Sequence, residues 1–372
     1  MKLKLKRTLC TALILLAAIC ALSAMSKARG AKSASKKSGT IEVVTTIFPV
    51  YDWIKEIAGD ADIAITMLQD RGTDLHNYQP TFQDIAKISK CDVFIYVGGE
   101  SDFWVSDALK ESKNPNMKTL NLMSSLGSLA REEEEKEGME CEHEHEDEDD
   151  EEEEEYDEHI WLSLKNASVL CEEICKALSS ADTANAAKYK ANTASYTSKI
   201  RALDSKYEAA AKSAKNKTLV FADRFPFLYL TSDYGLDYFA AFKGCSAESE
   251  ASFKTVMFLS NKLDELKLGK VFTIETSDGK LARTVIKNSK DKSRKILVMN
   301  SMQSVGKKEI AKGATYLSIM EKNLEALKEG IAMMHRGVAT LLEVSHNSVG
   351  IHQRQTQTVC FFHDADAPVD IS

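Results

Sequence analysis

The chain has 372 residues, 44% of them apolar, which is room for two domains with full cores and excludes a disordered or fibrous class. Its formal net charge of -8 is uneven: residues 132–158 hold 20 Asp or Glu against one lysine, so the remainder is net basic. The acidic run would attract cations, and it argues against nucleic acid binding beside it.

Lys2, Lys4, Lys6 and Arg7 precede an apolar stretch from Leu9 to Leu22 and the small residues Ser23 and Ala24. That stretch is short for a membrane span and right for an export signal over residues 1–24. Two outcomes stay open: cleavage near Ala24, or lipid attachment at Cys20, where Ile19 departs from the small residue usually found before a lipidated cysteine. Residues 25–40 read as a tether. No other stretch reaches 18 uninterrupted apolar residues. The expected location is the periplasm or the outer face of the cell membrane, with any membrane contact made through the N-terminal lipid. Eight cysteines dictate no disulfide; Cys171 and Cys175, four apart on a helical pattern, read as buried apolar residues.

The β-branched run Ile41–Ile47 predicts a strand, broken by Pro49, and Tyr51–Ala58 a helix stopped by Gly59. Ile63–Leu68 predicts a second strand, followed by a polar loop with His76. Phe82–Ser89 predicts a helix with Phe82, Ile85, Ala86 and Ile88 as its apolar face. Asp92–Val97 reads as a strand buried on both faces, Phe103–Glu111 as a helix and Lys118–Leu122 as a short strand. This alternation predicts an α/β lobe over 41–165, with a disordered acidic insert at 132–158.

Residues 166–214 read as a helical connector. From Asp182 to Ala214 there is neither Pro nor Gly, which predicts one long strut helix. Alternation then resumes over 215–330. Strands are predicted at Lys217–Phe221, Asp237–Phe242, Lys270–Glu275 and Lys295–Met299. Helices are predicted at Phe225–Ser232, Ala251–Leu266, Gly279–Asn288 and Lys307–Gly330. The expected architecture is therefore α/β: two open-sheet lobes joined by a long rigid helix. Ligands in open α/β sheets bind beyond the carboxyl ends of the strands, which puts the site in the inter-lobe cleft. Residues 331–372 carry no sustained helical pattern and read as a poorly ordered appendage.

Several metal-ligating side chains follow predicted strand ends. His76 follows the second strand, and His159 stands where the acidic run meets the apolar Ile160-Trp161-Leu162. Glu275 ends one strand of the second lobe, with Asp278 three residues on as a reserve ligand or a helix N-cap. Asp223 and Arg224 follow Lys217–Phe221, where the bland reading is a local ion pair. Two imidazoles with one or two carboxylates form a ligand set for Zn²⁺, and they also suit Mn²⁺.

With these residues in view, the chain resembles the zinc/manganese (ZnuA/TroA-like) group of ABC-transporter solute-binding proteins. The resemblance covers about Ile41 to Gly330. It rests on Thr45-Thr46-Ile47-Phe48-Pro49, Asp74-Leu75-His76-Asn77-Tyr78-Gln79-Pro80, Asp92 to Gly99 before Glu100, and Asp157-Glu158-His159-Ile160-Trp161-Leu162. Ile274-Glu275-Thr276-Ser277 fits the acidic ligand region, and Tyr316 to Leu327 the closing helix. The resemblance implies a monomeric extracytoplasmic protein that captures Zn²⁺ and passes it to the permease and ATPase subunits of an importer. It implies the ligands His76, His159, Glu275 and Asp223. A charged, histidine-bearing insert before the second histidine is typical of zinc members. A third family histidine is missing: its place falls on Ala222 or Arg224, neither of which ligates, and Asp223 is the nearest substitute. His143 and His145 in the insert are further candidates for collecting metal. A Mn²⁺-specific binder and a surface adhesin are the alternatives. A zinc hydrolase is not expected, because no His-Glu-x-x-His pattern occurs.

Overall fold

The computed structural model describes residues 39–140, 155–246 and 250–332. Two four-stranded, all-parallel sheets organise them, with spatial orders β2-β1-β3-β4 and β6-β5-β7-β8. The N-terminal sheet comprises β1 (Ile41–Thr45), β2 (Ile63–Met67), β3 (Val93–Tyr96) and β4 (Lys118–Asn121). The C-terminal sheet comprises β5 (Thr218–Phe225), β6 (Asp237–Lys243), β7 (Lys270–Ile274) and β8 (Lys295–Met299). Counted within each lobe, both orders read second, first, third, fourth.

Strand alternation explains how the lobes share one core. Val43 and Ile95 point into the large central cluster, whereas their neighbours Val44 and Phe94 point into a smaller cluster with Trp104 and Val105. In the C-terminal lobe Phe221 and Phe272 face the central cluster, while Val220 and Val271 face a second satellite with Val256, Leu259 and Val285. The central cluster runs without a break from α1 (Phe48–Ala58) through α5 (Leu164–Ala181) and the strut helix α6 (Ala186–Ser213) to α11 (Tyr316–Ile331). Tyr207 Oη on the strut donates to the Met320 carbonyl at 2.6 Å, and the Tyr316 N–H donates to Asp52 Oδ2 at 2.8 Å. The lobes are thus cemented at their backs by a continuous core. No helix among the described residues is long and apolar enough to cross a membrane.

Four expectations change. β5 continues to Phe225, with a register irregularity between Phe221 and Arg224, so Asp223 and Arg224 lie within the strand and not after it. The last helix is two: α10 (Lys307–Ala311) and α11, separated by Gly313 at φ +90° and restarted by a capping box between Thr315 and Ser318. Phe82 is 97% exposed and Ala86 is also exposed, so they form no buried face. The two ends of the acidic run pair with each other, Glu132 opposite Tyr156. Residues 132–140 dock on the C-terminal lobe: the Glu140 N–H donates to the Ala241 carbonyl at 2.9 Å, and Met139 is buried. Cys171 and Cys175 are buried in the central cluster, as the sequence predicts. Cys20, His143, His145 and the appendage from residue 333 onward lie outside the described residues.

Candidate metal centre

The N-terminal lobe brings two imidazoles to the cleft. Asp74 caps the short turn Leu75–Asn77 after β2, accepting from the His76 N–H at 3.2 Å. His76 Nδ1 is bonded to Ser101 Oγ at 2.9 Å, which turns Nε2 inward. His159 is 0% exposed. Asp157 Oδ1 accepts from the His159 backbone N–H at 2.7 Å and lies 2.9 Å from Nδ1. A carboxylate there fixes the tautomer with the proton on Nδ1 and leaves the Nε2 lone pair free for a cation. The two Nε2 atoms stand 3.2 Å apart. An ion bound tetrahedrally at ~2.0–2.1 Å holds two imidazole nitrogens about 3.3 Å apart, so the pair is spaced for one ion.

Two further side chains meet them from the C-terminal lobe. Cys245 follows β6, and its Sγ and the two imidazole nitrogens lie within 4.8 Å of one another; among the described residues this is the one such group of three. Gly244 permits the approach, since a Cβ there would stand 3.1 Å from His159 Cε1 and 2.9 Å from the Phe225 carbonyl oxygen. Gln303 follows β8, with its amide nitrogen 2.8 Å from His76 Nε2 and in hydrogen-bond contact with His159 Nε2. His76, Glu158 and Cys245 line a cleft of about 470 Å³ with Tyr78, Ser101 and Phe103.

The carboxylates expected as ligands have protein partners in this structure, though Asp223 Oδ2 is buried without one. Glu275 accepts from the Ser301 N–H at 2.7 Å and from Ser301 Oγ at 2.9 Å, bracing the loop that carries Gln303. Asp223 accepts from the Arg224 N–H at 2.9 Å and lines a separate cavity of about 690 Å³ with Asn77 and Ser277. Neither belongs to the group of three. Asp278 is exposed and accepts from the Lys280 N–H at 2.7 Å, the helix-start role. Arg224, at one of the two places open for the missing histidine, reaches across the cleft to Asp74 Oδ2 at 2.6 Å.

Electrostatics follow from these contacts. Burial and the neighbouring His159 pull the His76 pKa down to about 3. Burial opposes protonation of His159 as well, but Asp157, Glu158 and Glu133 outweigh it and push that pKa above the ordinary value. Burial would raise Asp74, yet the Arg224 guanidinium holds it below the usual carboxylate range. Burial pushes up both the Cys245 thiol and the Glu158 carboxyl.

Cys245 and Gln303 escaped the sequence reading because neither sits in a motif. The signal lay in the repeat between lobes. His76 follows the second strand of its sheet and Cys245 the second strand of the other; His159 lies beyond the fourth strand and Gln303 follows the fourth.

Two parallel α/β lobes backed by a shared core, with convergent polar side chains between their strand ends, define a two-lobed cleft protein that encloses a small solute. The chain belongs to the family described as "ZnuA: Zinc-uptake complex component A periplasmic", whose model matches residues 43–330. It is 31% identical over 293 residues to the zinc-binding protein AdcA of Streptococcus pyogenes serotype M18 (strain MGAS8232), covering 78% of this chain and 56% of that protein. It is 30% identical over 302 residues to the high-affinity zinc uptake system protein ZnuA of Bacillus subtilis (strain 168), covering 80% of this chain and 90% of that one. The chain thus spans little more than half the length of the streptococcal relative. Among solved structures it is similar to the Zn(II)-bound ZnuA-like domain of Streptococcus pneumoniae AdcA, with TM-score 0.62, 29% identity, and coverage of 79% of this chain and 99% of that one. It is also similar to the metal-dependent lipoprotein YcdH of Bacillus subtilis, with TM-score 0.63, 27% identity, and coverage of 78% and 99%.

Proposed function

We propose that the protein captures extracytoplasmic Zn²⁺ in its cleft and delivers it to the permease and ATPase subunits of an ABC importer. The observation that carries this reading is the His76–His159 pair, with Nε2 atoms 3.2 Å apart and each Nδ1 held by a partner. Zinc uptake is also the role named for the Bacillus relative. Zn²⁺ is favoured over Mn²⁺ because the group that converges holds imidazoles and a thiol and no carboxylate. The shared core limits closure to the cleft edges, and a metal bridging the lobes would give a permease a distinct loaded form to recognise. A strain lacking the protein should need more zinc for growth, with rescue by the wild-type chain and not by His159→Ala. Unchanged zinc demand in that strain, with no other zinc importer present, would overturn the reading.

A further inference from the structure

The identity of the third and fourth ligands deepens the zinc-capture reading and rests on it. We infer that the ion is held by His76 Nε2, His159 Nε2, Cys245 Sγ and Gln303 Oε1, a sulfur-bearing site that takes Zn²⁺ and rejects Mn²⁺. Three independent observations converge. Cys245 Sγ lies within 4.8 Å of one ring nitrogen of His76 and one of His159. Gly244 is the residue whose missing side chain lets that loop lie against His159. Arg224 is committed to Asp74 at 2.6 Å, and a guanidinium has no lone pair to offer a cation.

The amide of Gln303 follows from proton counting. Ser301 Oγ lies 2.9 Å from Glu275 Oε1 and 3.0 Å from Gln303 Oε1, but a hydroxyl has one proton to give. The carboxylate is the stronger acceptor and takes it. Ser301 Oγ then has a lone pair to offer, which suits the amide N–H₂ of Gln303. Turning the amide over meets that need and points Oε1 at the two imidazoles. Before metal arrives, the amide nitrogen is in hydrogen-bond contact with both Nε2 atoms. On loading it turns, and the oxygen faces the cation. Thiolate and imidazole suit Zn²⁺, whereas Mn²⁺ prefers carboxylate and water, so this set discriminates by ligand softness.

The test is Co²⁺ as a spectroscopic stand-in for Zn²⁺, added to the full mature chain. Wild type should show a near-ultraviolet sulfur-to-cobalt charge-transfer band, and Cys245→Ser should lose it while still binding Co²⁺ through the histidines. Supporting partners of a metal ligand are worth about 10–100-fold in affinity, and a direct ligand should cost no less, so Cys245→Ser should weaken Zn²⁺ by at least that factor. Gln303→Leu should weaken Zn²⁺ with the band intact. A wild-type protein that binds Co²⁺ without the band, or a Cys245→Ser variant that keeps it, would overturn this inference and leave capture standing. Failure of wild type to bind either ion would overturn capture itself.

Discussion

In the N-terminal lobe the second strand leads to His76 and the fourth to the segment ending in His159; in the C-terminal lobe the second leads to Cys245 and the fourth to Gln303. The second-strand positions match, His159 lies much farther along the chain from its strand than Gln303 does, and the chemistry differs. The N-terminal side offers nitrogen, held by groups behind it: Asp157 under His159, Ser101 under His76, and Glu158 accepting from the Ser101 N–H at 2.6 Å. The C-terminal side offers sulfur and an amide, with Glu275 set one layer back against Ser301. The comparison teaches that fold repetition fixes where a ligand stands, while local packing decides what it is. Several acidic residues serve as braces: Asp157 for His159, Glu158 for the Ser101 turn and Glu275 for the Ser301 loop.

The sharpest break of this comparison is His159→Ala, which removes the most buried ligand. Zn²⁺ affinity should fall by about 1,000-fold, or about 4 kcal/mol, in competition with a chelator. Next is Arg224→Ala, which leaves Asp74 buried without its partner. Its side chain and that of Asp74 are 13% and 12% exposed, so the loss should be about 3 kcal/mol in urea unfolding. Because Asp74 is depressed in the folded state, this contribution is present above the ordinary carboxylate range and fades as pH falls through the folded value. A loss under about 1 kcal/mol would show that the lobes do not depend on this latch.

Asp157→Asn should lower Zn²⁺ affinity by about 10–100-fold, since it removes the charge that orients His159. It should also move the pH profile. His159 is pushed above its ordinary value and His76 is drawn down to about 3, so acidification first protonates His159. The Cys245 thiol must also lose a proton to bind, so affinity should fall about a further tenfold per pH unit below the His159 pKa, and Asp157→Asn should shift that onset to lower pH. Titrations at several pH values would show a common onset in both proteins if the carboxylate plays no part. The smallest effect expected is Gln303→Glu, which adds a hard anionic oxygen and should raise Mn²⁺ affinity relative to Zn²⁺ by about tenfold in a two-metal competition.

Much of the fold was legible in the sequence. Strand runs such as Val93–Tyr96 declare burial on both faces, and the Pro- and Gly-free stretch before Ala214 declares the strut. His76 and His159 stand out because each interrupts its surroundings, one in a polar loop and one at a charge boundary. The predicted strand stops at Phe221, which places Asp223 in a loop; the irregularity that carries β5 on to Phe225 changes where each side chain is aimed. Glu275 stands at the end of β7, as the sequence predicts, while its pairing with Ser301, 26 residues on, is invisible locally. Cys245 and Gln303 depend on tertiary approach, through Gly244 against His159 and through the loop after β8, and no short spacing encodes either.

Equilibrium Zn²⁺ titration of the full mature chain, wild type beside His76→Ala and His159→Ala, tests the central claim most directly. The account predicts one tightly held Zn²⁺ per chain, lost in both variants. Tight, stoichiometric Zn²⁺ binding that survives in both would contradict it and move the site away from the inter-lobe cleft.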